Sequence, residues 1–192
     1  MTADAYRAKP IPPRPGPGAV RRRLGEILRV DHSGELAAVH IYRGQRAVLA
    51  AAPGKGRIAG ELDEMHGQEA AHLAAFDALL TENQVRPSLF APVWRAAGFA
   101  LGAATALMGE KAAHACTEAV EDVIEKHYAS QVEELQDRDP DLAARLSAFR
   151  DDELAHQVKA VEEGAREAPA YPVLSAVIRA GCRAAIKVAE KV

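Results

Sequence analysis

Phe149-Arg150-Asp151-Asp152-Glu153-Leu154-Ala155-His156 decides how this chain is read, because its Glu-x-x-His ending recurs at Glu69-Ala70-Ala71-His72. Each Glu-x-x-His follows a lone glutamate. Glu35 stands 34 positions before Glu69, and Glu121 stands 32 positions before Glu153. With 17 glutamates and 7 histidines in 192 residues, about 0.6 such matches arise by chance, so the spacing alone is weak. Position carries more. At 3.6 residues per turn, Leu24, Leu28, Val39, Tyr42 and Leu49 share a stripe with Glu35, and Leu62, Met65, Leu73, Phe76 and Leu80 share one with Glu69 and His72. Ile124, Tyr128, Val132 and Leu135 do the same for Glu121, and Leu142, Leu146 and Phe149 for Glu153 and His156.

Six residues that helices normally turn to water thus fall on apolar faces. A buried carboxylate is costly unless something neutralises it. Two divalent cations balance four carboxylates, and a donor set with one nitrogen per ion and no thiolate suits iron or manganese better than structural zinc. A Glu from each of two helices and a Glu-x-x-His from each of two others is the ligand pattern of ferritin-like di-iron bundles. The expected fold is therefore all-α, a ferritin-like four-helix bundle with one long crossover.

Composition agrees. Aromatics make up 5% of the chain, and runs of β-branched residues are scarce. A net charge of −3 gives no reason to expect a nucleic-acid partner. Cys116 and Cys182 have no C-x-x-C spacing and make no disulfide framework, so a reducing compartment and two inert buried thiols are expected. The amino terminus has no apolar stretch of the secretory kind. Residues 1–20 are basic and Pro-rich and are read as a disordered arm; a transit peptide shares the charge but not the prolines.

Bundle helices are predicted over about 21–50, 57–82, 109–136 and 140–166 in one domain spanning 21–192. Pro53-Gly54-Lys55-Gly56 closes the first, and Asp139 with Pro140 opens the last. Two further segments differ in kind. From Pro87 to Gly109 the only charge is Arg95, and the uncharged run after it, about fourteen residues, is too short to span a bilayer, so the segment reads as an apolar crossover packed on the bundle or a helix lying in a membrane interface. Residues 173–191 carry Arg179, Arg183, Lys187 and Lys191 four apart, a basic stripe suited either to anionic headgroups or to a solvated face.

Other side chains have weaker standing. Tyr42 and Tyr128 each follow a lone Glu by seven, as core tyrosines or as hydrogen-bonding neighbours of the site. His127 is a candidate to relay protons or to hold a carboxylate near the metal. His66 has no counterpart in the second repeat, where Arg150 stands, and is left out. His32, His40 and His114 are assigned surface or capping roles.

The segments Arg29-Val30-Asp31-His32-Ser33-Gly34-Glu35, Glu69-Ala70-Ala71-His72-Leu73, Leu101 to Gly109, Ala119-Val120-Glu121 with His127-Tyr128, Phe149 to His156 and Ala180-Gly181-Cys182-Arg183 resemble the demethoxyubiquinone hydroxylases of ubiquinone biosynthesis. The resemblance covers about residues 21–190 and includes the apolar crossover and the terminal helix. It implies a di-iron monooxygenase that uses dioxygen to hydroxylate the ring of a polyprenyl demethoxyquinone. Glu35, Glu69, His72, Glu121, Glu153 and His156 would be the ligands of two iron ions. It also implies peripheral binding to the quinone-bearing membrane and, in eukaryotic members, a lipid-binding partner protein or biosynthetic complex. Homo-oligomerisation stays open. With no nucleotide-binding fingerprint, the electrons are expected from outside, from NADH or a redox partner. The expected location is the cytoplasmic face of a bacterial membrane, with the matrix face of the mitochondrial inner membrane as the alternative. Two other readings remain: a ferritin-like ferroxidase or peroxidase, and a metal-free helical scaffold on membranes.

Overall fold

The computed structural model describes residues 17–191, and among them there are helices and no strand. The first antiparallel pair is α1 (Pro17–Leu49) and α2 (Gly56–Glu82), joined through Gly54 at φ 77°, a left-handed turn residue that suits glycine. The second pair is α4 (Glu110–Leu135) and α5 (Pro140–Glu162). Asp139 caps α5 as expected: its carboxylate accepts the Leu142 N–H at 3.1 Å, and Pro140 fills a first-turn position that needs no donor. Between the pairs, α3 (Ala91–Leu107) runs parallel to α1 and carries the chain back along the bundle, so that α2 and α4 point the same way. The sixth helix, α6 (Tyr171–Ala189), lies along α4 and touches α1.

The boundaries depart from expectation where prolines and glycines act. Pro17 to Val20 belong to α1, because proline is tolerated at a helix start; the expected arm therefore ends earlier, and the rest of it, residues 1–16, lies outside the described residues. Pro92 sits in the first turn of α3, and Pro172 in the first turn of α6. The fourth bundle helix stops at Glu162, because Gly164 at φ 88° turns the chain into a short 3-10 turn, Ala165–Glu167.

Two apolar clusters close the bundle above and below its middle. Ile27, Leu28, Phe76, Leu135, Leu142 and Leu146 pack at one level, and Tyr42, Leu49, Ile58, Leu62 and Met65 at the other. Each large side chain so buried contributes about 1.5–3 kcal/mol. Crossover and bundle meet backbone to backbone: a Cβ on Gly102 would collide with the Ile41 carbonyl, and one on Gly98 with Ala37, so only glycine permits this approach.

The outer faces of α3 and α6 are apolar. Leu89, Phe90, Val93, Phe99, Leu107 and Met108 are exposed on and beside α3, and Val173, Val177 and Val188 on α6. No described helix is long and apolar enough to cross a membrane. The basic stripe of α6 needs one correction. Arg179 is half-buried and ion-paired to Glu118 at 2.8 Å and Asp122 at 3.0 Å, pinning α6 to α4, whereas Arg183, Lys187 and Lys191 stay exposed.

Candidate metal centre

The four bundle helices bring all six predicted residues to one place between the two apolar clusters. Glu35, Glu69, Glu121 and Glu153 are at most 1% exposed, and His72 and His156 are 4% exposed. They form two overlapping groups, Glu35–Glu69–His72–Glu153 and Glu69–Glu121–Glu153–His156, in each of which the ligand atoms lie within 4.8 Å of one another. Glu69 and Glu153 belong to both. The carboxylates of the two Glu-x-x-His motifs are therefore the shared pair, and each lone glutamate serves one side.

Hydrogen-bonding geometry bears on what the cage can hold. His72 Nδ1 lies 3.2 Å from Glu153 and 3.6 Å from Glu35, and His156 Nδ1 lies 3.0 Å from Glu69 and 3.5 Å from Glu153. Yet both nitrogens, both oxygens of Glu69 and of Glu153, and Oε2 of Glu35 and of Glu121 are buried without a hydrogen-bond partner. Eight orphaned atoms facing one space are very costly for a protein that leaves them so. Lone pairs converging on a common centre are what cations require, and six carboxylate oxygens with two imidazole nitrogens fit a pair of iron-like ions. Without ions, protons must balance the charge. Burial pushes Glu69 and Glu121 well above the usual carboxylate range, aided by the Glu153 charge, and raises Glu35. Burial would raise Glu153 too, but His156 and His72 outweigh it and hold it low. Burial would lower His72, but Glu153 and Glu35 push it up to about 11.

The surroundings are exchanged between the two repeats. Tyr42, on the helix of Glu35, donates its hydroxyl to Glu121 at 2.9 Å, and Tyr128, on the helix of Glu121, donates to Glu35. Both are core tyrosines and neighbours of the site at once. Burial raises both phenols well above their ordinary value, so they stay protonated donors. The outward nitrogens follow the same rule. His72 Nε2 meets Asp152 at 3.1 Å, and His156 Nε2 meets Gln68 at 2.7 Å. Asp152 and Gln68 were missed in the sequence, although each immediately precedes the glutamate of a Glu-x-x-His, and aligning the repeats would have paired them.

His127 touches none of the six. Its Nε2 lies 2.9 Å from Gln131 Nε2 and 3.5 Å from Asp31, a buried carboxylate that also accepts from Gln131 at 2.8 Å. His127 thus helps to hold Asp31, one turn before Glu35. Asp31 and Gln131 also escaped the sequence reading; their signal was a polar residue on an apolar stripe. His66 belongs to neither of the cage's two groups. His40 bonds its own helix through the Leu36 carbonyl at 2.8 Å. His32 and His114 contradict the surface assignment: they are 6% and 2% exposed, His32 paired to Asp77 at 3.1 Å and His114 set beside Glu61 and Glu163. Cys116 is buried and Cys182 half-buried, with burial pushing their thiols up to about 12 and about 11.

One more feature adjoins the cage. An apolar cleft opens between α3 and α6, lined by Trp94 and Ile186 and by Gly34, Ala38, Val120 and Ile124, which lie within three residues of Glu35 or Glu121.

Residues 22–189 match the model of a family described as ubiquinone biosynthesis protein COQ7. The chain belongs to that family. It is 47% identical over 182 residues to the 3-demethoxyubiquinol 3-hydroxylase of Rhodospirillum rubrum, covering 95% of this chain and 83% of that one. It is 43% identical over 175 residues to the human mitochondrial NADPH-dependent 3-demethoxyubiquinone 3-hydroxylase, covering 89% and 79%. Against the mitochondrial 5-demethoxyubiquinone hydroxylase of Saccharomyces cerevisiae, identity is 38% over 184 residues, covering 88% and 78%. Membership places the cage, the crossover and α6 together inside the matched region, as the resemblance implied.

Proposed function

We propose that this chain is a di-iron monooxygenase that hydroxylates the ring of a polyprenyl demethoxyquinone, as quinone or quinol, in ubiquinone biosynthesis. The observation that carries the reading is the pair of cages sharing Glu69 and Glu153, with eight orphaned donor atoms directed inward. Glu35, Glu69, His72 and Glu153 would hold one iron, and Glu69, Glu121, Glu153 and His156 the other. The bound pair would supply reductive activation of dioxygen.

The protein's own part is orientation and dryness. Asp152 and Gln68 occupy the outer nitrogens of His72 and His156, which fixes Nδ1 as the inward atom. Tyr42 and Tyr128 fix the lone glutamates by one oxygen and leave the other free. The apolar cleft is the route by which a prenylated ring reaches the Glu35–Glu121 side while water is excluded. The exposed apolar faces of α3 and α6 flank that cleft and would rest on the quinone-bearing membrane, with Arg183, Lys187 and Lys191 at the headgroups. That surface is the cytoplasmic face in a bacterium or the matrix face in a mitochondrion. A lipid-binding partner would engage the same faces. The reductant is external; the nicotinamide dependence in the human relative's name favours a nicotinamide nucleotide.

A ferroxidase or peroxidase would use the same cage, but neither needs an apolar cleft beside it. Quinone extraction from a strain lacking this gene tests the reading. Demethoxyquinone should accumulate and should disappear on return of the wild-type gene. An unchanged quinone profile would remove the hydroxylase assignment.

A further inference from the structure

A second, smaller group of metal-ligating atoms lies at the end of the bundle where α2 and α4 begin. Glu61 of α2, His114 of α4 and Glu163 at the end of α5 place one ligand atom each within 4.8 Å of one another. Counted along the helices, Glu61 precedes Glu69 by eight residues and His114 precedes Glu121 by seven, which sets this group about 10–12 Å from the cage. It shares no residue with the cage.

Two observations separate it from an ordinary acidic cluster. His114 is 2% exposed, and its Nε2 has no hydrogen-bond partner. Glu61 Oε2 is likewise buried and unpartnered. Such atoms in a folded interior call for an occupant. The charges facing them are already matched by flexible cations: Arg57 lies 2.5 Å from Glu61 and 2.7 Å from Glu163, and Lys159 lies 3.7 Å from each. Arg57 also reaches Glu110 at 3.7 Å, beside Lys55. The Arg57 side chain is 58% exposed and can swing into water at little cost, its exposed ion pairs being weak. The guanidinium satisfies neither His114 Nε2 nor Glu61 Oε2.

We infer that Glu61, His114 and Glu163 form a separate binding site for one divalent transition-metal cation, which displaces the Arg57 guanidinium and takes up the two orphaned atoms. Two carboxylates and one imidazole suit ions of the Fe²⁺, Co²⁺ and Zn²⁺ group, and not Mg²⁺ or Ca²⁺, which favour all-oxygen sites.

The test is calorimetric titration of Co²⁺ into the iron-loaded protein, with iron content measured before and after. The wild type should bind one additional Co²⁺ per chain. His114→Leu should weaken that event at least tenfold, and Glu163→Gln, at a surface-accessible position, should weaken it by a similar factor. Arg57→Gln should strengthen it about threefold to tenfold by removing the competitor. Absence of the additional event in the wild type, or an unchanged affinity in His114→Leu or in Arg57→Gln, overturns the inference. Because the comparison is of events that depend on His114, it is independent of the cage. A cage that fails to hold iron shows in the iron content and leaves the His114-dependent event in place.

Discussion

The interior and the outer face of this bundle are reversed relative to an ordinary helical protein. At mid-height the core holds four carboxylates and two imidazoles, each at most 4% exposed, while Leu107 is 76% and Val173 67% exposed on the surface. The two reversals explain each other only jointly. Buried acids make sense if cations occupy the cage, and exposed apolar residues make sense if lipid or a partner covers them. The cleft between α3 and α6 lies between the two regions in the chain's own terms: Gly34 and Val120, which line it, are the chain neighbours of Glu35 and Glu121. An oxygenase for a water-insoluble substrate needs both at once.

Breaking the interior should have the largest effect. Glu153→Ala removes a carboxylate common to both groups, so iron content should fall and hydroxylated product should drop by about 10³-fold or more, while circular dichroism stays helical. Product formation near the wild-type level would contradict the shared role. Asp152→Ala touches only the outer nitrogen of His72. Losses of about 10–100-fold in iron affinity or turnover are expected from removing such a support. Apparent iron dissociation constants would report them, and an unaltered constant would show that the histidine needs no such partner.

Breaking the exterior should leave the interior intact. Leu107→Asp with Val177→Asp should weaken association with anionic vesicles by about tenfold or more, since each change removes an apolar side chain from the contact. Iron content should stay the same. If vesicle binding persists, these faces are not what the membrane meets. The smallest effect is expected for Cys182→Ala at the cleft wall. With its thiol pushed up to about 11, Cys182 is no thiolate near neutral pH, so turnover should stay within about twofold of wild type. A larger loss would point to sulfur chemistry that the present account does not contain.

Much of the interior was legible because helical periodicity makes an acid on an apolar stripe conspicuous, and Glu35 aligned with Leu28 and Tyr42 is such a case. What periodicity reports is one helix at a time. It could not show that Glu69 and Glu153 are the shared carboxylates, nor that Tyr42 reaches Glu121, because both depend on how helices cross. Gln68 and Asp152 lie about 100° around their helices from the glutamates they precede, so the stripe that revealed the ligands hid the ligands' supports. The exterior misled in the opposite sense. Arg179 fits a basic stripe, but the partner that buries it, Glu118, lies on α4. His114 looked like a surface residue because the neighbours that enclose it, Glu61 and Glu163, come from two other helices. Pro92 and Pro172 are starts and not breaks, because each sits in the first turn of its helix.

The claim that joins interior and exterior is oxygen transfer from the cage to a ring lodged in the cleft. Mass spectrometry of the quinone product after turnover of the iron-loaded protein under ¹⁸O-labelled dioxygen tests it most directly. One labelled oxygen in the new ring hydroxyl is the predicted result; an unlabelled product, or none in the presence of reductant and intact iron, would contradict it.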